Sequence, residues 1–101
     1  MNPTATSNKL VRALQPIMPD ATFAISQCRD WYSMTFSGAQ IVITAQLQGT
    51  DAAALASQFV QMLPEHEFVL PRLIVADIAV VSQQMSDYGI CLEIEALVLD
   101  E

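Results

Sequence analysis

The chain is short of positive charge. Lys9, Arg12, Arg29 and Arg72 are its only lysines and arginines, against 11 acidic residues, and the net charge is −7. Nucleic-acid binding needs a basic footprint that displaces counterions from phosphates, and four scattered cations do not make one. The same shortage excludes docking on an anionic membrane surface. The deficit is concentrated in one half. Residues 1–50 carry Lys9, Arg12 and Arg29 against Asp20 and Asp30, a net +1, whereas residues 51–101 carry Arg72 alone against nine acids, a net −8.

Histidine, cysteine and glycine are scarce as well. His66 is the only histidine, which rules out a histidine metal cluster, and its place between Glu65 and Glu67 after a helix end reads as a solvated loop. Cys28 and Cys91 lie far apart without metal-ligand spacing and read as small buried hydrophobes carrying reduced thiols. Arg29 beside Cys28 is the one cation placed to activate a thiol, but neighbours on a strand project to opposite faces. Gly38, Gly49 and Gly89 are isolated, so no glycine-rich phosphate loop exists. No apolar run reaches the roughly 18 residues of a membrane span. The longest, Leu73 to Val81, is broken by Asp77. Residues 1–7 lack the cationic and apolar regions of a signal peptide, so a cytoplasmic location is expected.

What is abundant is apolar residues, at 52% against 15% charged, with a mean hydropathy of +0.36. That balance excludes disorder. It also leaves few charges to cover the apolar surface, which implies that a partner or a second copy covers part of it.

The patterning predicts one α+β domain over residues 1–101, with residues 1–6 disordered. Leu10, Val11, Leu14, Ile17 and Met18 fall on one face of a first helix, capped by Thr6 or Ser7 and ended near Gln15 by Pro16. Leu55, Phe59, Met62 and Leu63 mark a second helix, capped by Thr50 or Asp51 and stopped by Pro64. Between them, Phe23 and Ile25 read as a strand and Cys28-Arg29-Asp30 as a turn. Tyr32, Met34 and Phe36 then alternate as a second strand, and Ile41, Ile43, Ala45 and Leu47 as a third after Ser37-Gly38. Leu73 to about Gln83 and Ile90 to Leu99 form a closing hairpin. The expected order is α-β-β-β-α-β-β, a two-layer sandwich in which two helices cover one face of an antiparallel five-stranded sheet. A short echo links Ile17–Ile25 to Met62–Leu70, each with Pro, an acid and then an aromatic. A duplicated helix-plus-hairpin unit would produce it, as would the common grammar of helix, Pro stop and strand.

Period 2 assigns the sheet faces. With Ile74, Ala76, Ile78 and Val80 under the helices, the other face gathers Trp31, Leu73, Val75, Val81, Leu97 and Leu99 as an uncovered apolar surface. Clustered exposed aliphatics beside an aromatic mark a protein interface. The favoured function is a non-catalytic protein-interaction or assembly module, self-associating through the open face or an edge strand. Asp77, Glu93 and Glu95 share that face, so the alternative is a small metal-dependent or acid–base enzyme. No cofactor is expected.

Overall fold

The computed structural model describes residues 2–101 and contains helix α1 (Pro3–Leu14), strands β1 (Thr22–Tyr32) and β2 (Ser37–Leu47), helix α2 (Ala52–Met62) with a 3₁₀ turn at Leu63–Glu65, and strands β3 (Leu73–Ser86) and β4 (Gly89–Asp100). The sheet is antiparallel with order β1-β2-β4-β3. Both helices lie on one face, α1 over β1 and β2, α2 over β4. The molecule measures 45 × 22 × 18 Å, a thickness that holds two layers and no third.

Four strands replace the expected five. The stretch taken as a turn at Cys28-Arg29-Asp30 is extended chain inside β1, paired to β2 from Thr22 through Tyr32. The reversal comes later, where Ser33 closes a tight loop. Its backbone N–H donates to the Phe36 carbonyl at 2.8 Å, and its hydroxyl accepts from the Phe36 N–H at 3.0 Å. Tyr32, Met34 and Phe36 therefore alternate without forming a core face. Met34 is fully exposed and Phe36 is 50% exposed. A bulge at Ser26 absorbs the change of phase within β1.

Helix α1 also starts earlier than the pattern suggests. Asn2 is the cap, its side-chain oxygen accepting from the Thr4 and Ala5 N–H groups at 3.0 and 3.3 Å, with Pro3 at the first helical position. Residues 3–6, expected to be disordered, are its first turn, and that expectation for Met1 lies outside the described residues. Thr6 and Ser7 sit inside the helix, buried, and their hydroxyls donate back to the carbonyls of Asn2 and Pro3. The ends marked by Pro16 and Pro64 agree with the structure.

The core lies between the helices and the central strands. Leu10, Leu14, Met18, Ala52, Ala56, Phe59 and Leu63 meet Ala39, Ile41, Ile43, Ala45 and Leu47 of β2 and Ile90, Leu92, Ile94, Ala96 and Val98 of β4. The strands outrun this cover. A 14-residue strand spans roughly 46 Å and a 12-residue helix only about 18 Å. Tyr32 at one hairpin end, and Met85 and Tyr88 at the other, are left exposed accordingly.

The two halves repeat. Each is a helix followed by a hairpin, and β2 pairs with β4 around Ile43 and Ile94. An approximate two-fold through that pair, normal to the sheet, carries Gly38 onto Gly89, Ile41 onto Leu92, Ala45 onto Ala96 and Leu47 onto Val98.

One strained residue marks the difference between the halves. Before β3 the chain makes a turn, with the Leu73 N–H donating to the Leu70 carbonyl at 3.1 Å, and Arg72 there has φ = 63°. That conformation suits glycine, and holding an L side chain in it costs about 1–2 kcal/mol. Arg72→Gly should raise the unfolding free energy by about 0.5–1 kcal/mol after allowing for the more flexible unfolded chain, read from urea denaturation midpoints.

Candidate functional site

Alternate residues of each strand project away from the helices, and the ladder register lines them up in rows across the open face. The row at one end is Trp31, Gly38, Leu99 and Ile74, taken from β1 to β3. Arg29, Gln40, Leu97 and Asp77 form the next, followed by Gln27, Val42, Glu95 and Ala79. Beyond these the face is polar, with Thr44, Glu93 and Ser82 in one row and Gln46, Cys91 and Gln84 in the last. The face is thus apolar at one end and carboxylate-bearing in its middle rows.

Trp31, Leu97 and Leu99 stand where the sequence placed them, on the open face and half-buried. Leu73 and Val75 do not. They pair with Asp100 and Val98, face the helices and pack against the core. The cause is a bulge at Ala76, which inserts one residue and reverses the phase, so that Leu73 and Val75 share a side with Ile78 and Val80. Ile74 is turned outward by the same shift and is 44% exposed. Val81 is the extra residue of a second bulge on the β3 edge and is 48% exposed. Sequence reasoning missed Ile74 because the run from Leu73 to Val81 has no alternation from which a phase could be read. It also missed Phe36 and Met34, which extend the apolar end into the adjoining turn.

The apolar end depends on Gly38. A Cβ there would collide with the Val98 carbonyl and come within 3.0 Å of the Leu99 Cδ2 atom, so Leu99 lies over bare backbone on the Trp31 side of β4. Gly38→Ala should destabilise the fold by about 1–3 kcal/mol, seen as a lower urea midpoint, because β2 and β4 must move apart or Leu99 must leave its place.

The three carboxylates share the face but not a point. Glu93 and Glu95 fall in separate rows, and Asp77 lies beside Leu97 in a third. Among the described residues no three His, Cys, Asp or Glu side chains group closely enough to hold a metal ion. Calorimetric titration with Ca²⁺ or Mg²⁺ should accordingly show no saturable site. Saturable binding that disappears in the Asp77→Ala/Glu93→Ala/Glu95→Ala variant would establish the metal-dependent alternative.

Cys28 faces the helices opposite Ile41 and Cys91 lies on the open face beside Gln46, so the sheet separates the two free thiols. Arg29 is on the opposite face from Cys28. His66 is exposed after the 3₁₀ turn, with its ring edge-on to Phe68 at 4.6 Å between centroids. The shallow recess it shares with Gln58, Gln61, Met62, Glu65 and Glu67 offers no hydroxyl or thiol to activate.

Among the described residues no helix is long and apolar enough to cross a membrane. Comparison of the chain with protein-family models, with curated proteins and with solved structures finds no match in any of the three.

Proposed function

We propose that this protein is a non-catalytic assembly module that self-associates through the open face of its sheet. The observation that carries the reading is the apolar row Trp31, Leu99 and Ile74 with Leu97 behind it, on a face that no element among the described residues covers. The accessible surface supports it. The chain exposes 6253 Å², roughly a tenth more than the ~5,700 Å² expected for a folded monomer of this mass.

The face is favoured over the edges. The outer strands β1 and β3 carry bulges at Ser26, Ala76 and Val81, and exposed charges at Arg29, Asp30 and Asp77. Bulges and edge charges are the usual means by which a sheet blocks addition of a further strand. The face has no such guard at its apolar end.

Sedimentation equilibrium should show a dimer. Ile74→Glu and Leu99→Glu should each weaken it at least about tenfold, near 1.4 kcal/mol, by placing a carboxylate in the contact. A wild-type chain that stays monomeric at about 1 mM, where even a 4 kcal/mol association is visible, would overturn the reading.

A further inference from the structure

We infer that the occupant of the open face is a second copy of this chain, related by a two-fold axis parallel to the strands, with Arg29 of each copy set against Asp77 of the other. The inference rests on the self-association proposed above and adds its geometry. Arg29 and Asp77 stand in one cross-strand row but on opposite outer strands, three strand spacings or roughly 14 Å apart, too far to pair within the chain.

A two-fold running between β2 and β4 in the plane separating two stacked sheets lays β1 of one copy over β3 of the other. Every row then meets its own counterpart. Arg29 meets Asp77 twice, and Glu95 lies one strand and one row from the same guanidinium. Trp31 meets Ile74. Leu99 comes down toward Gly38 of the other copy and meets that copy's own Leu99, which lies over the glycine backbone. Glu93 comes to lie opposite a Thr44 hydroxyl.

Arg29 and Asp77 distinguish this axis, which also sets the two Glu95 side chains in one row on adjacent strand lines across the contact. A two-fold laid along the Leu97 row also buries the apolar end, but it sets Arg29 on Arg29 and Asp77 on Asp77. Like charges so placed are disfavoured, whereas the first axis makes the same two residues complementary. The area is sufficient. Four strands about 4.8 Å apart and five rows about 6.8 Å apart give a footprint of roughly 650 Å² before side-chain relief is counted, close to the ~800 Å² per partner of a stable interface.

Charge reversal tests the geometry. Both residues are exposed, so Arg29→Asp and Asp77→Arg should fold normally by circular dichroism. Each alone should weaken the dimer at least about tenfold in sedimentation equilibrium. The doubly reversed chain, and an equimolar mixture of the two single variants, should return the dissociation constant to near the wild-type value, because both restore two opposite-charge pairs. A wild-type dimer that ignores the reversals, or that neither combination rescues, overturns this arrangement and leaves self-association standing. A monomeric wild type overturns both.

Discussion

The ladder between β2 and β4 is the constraint on which the rest depends. Ten residues of each strand pair there without a bulge, from Gly38 against Leu99 to Leu47 against Ile90. Because side chains alternate, this one register decides both layers at once. It puts Ile41, Ile43, Leu92 and Ile94 under the helices, where they are fully buried, and by the same act turns Leu97, Leu99, Glu93 and Glu95 to the uncovered side. A slip of one residue would bury the glutamates and expose the isoleucines. Each large apolar side chain so exposed would cost about 1.5–3 kcal/mol, several times over, which is why the register tolerates no alternative. The outer strands carry no such double duty, and all three bulges of the sheet fall on them.

That difference explains what could be read from sequence and what could not. In β2 and β4 one residue of each pair is core and the next is not, so strict alternation survives in Ile41–Leu47 and Ile90–Val98, and both strands and their faces were legible. In β3 the bulges at Ala76 and Val81 break the period twice within one apolar run, and the faces of Leu73, Ile74 and Val75 came out reversed. In β1 the bulge at Ser26 and the weak burial of an edge strand hid an unbroken strand behind Arg29-Asp30, and the exposed Tyr32-Met34-Phe36 series imitated another. Helix ends were legible where proline dictates them, at Pro16 and Pro64. The start of α1 was not, because Asn2-Pro3 and Thr6-Ser7 both offer caps and only the fold shows that the second pair is buried.

The echo between Pro19–Phe23 and Pro64–Phe68 follows the repeat at the helix ends but not in the strands, since the two-fold sets Phe23 against Ile78 while Phe68 precedes β3. Two helix-plus-hairpin units related about Ile43 and Ile94 are what a duplicated ancestor would leave. The equivalence is close in the buried faces of β2 and β4 and fails on the open face, where Thr44 and Gln46 of the first half correspond to Glu95 and Leu97 of the second. The buried face is held by packing common to both halves. On the open face the second half carries glutamate and leucine where the first carries Thr44 and Gln46.

This difference between the halves bears on how charge is spread along the chain. Solubility alone would favour polar residues on the uncovered face, as at Gln40, Thr44 and Gln46 of the first half. The second half instead combines Leu97 and Leu99 with Glu93, Glu95 and Asp77 on the same side, while Arg29, the one cation of that face among the described residues, sits on the outer strand of the other half. Within one chain the attraction between them is spread across the full width of the sheet and screened by water, and contributes little. Stacking two sheets about a shared axis is the step that shortens this distance, and it does so only because the half rich in acid is carried over the half that holds the cation. The arrangement proposed above would bring Asp77 to Arg29 and cover Leu97 and Leu99, whereas Asp51, Glu65, Glu67 and Asp87 of the acidic half lie outside the strands.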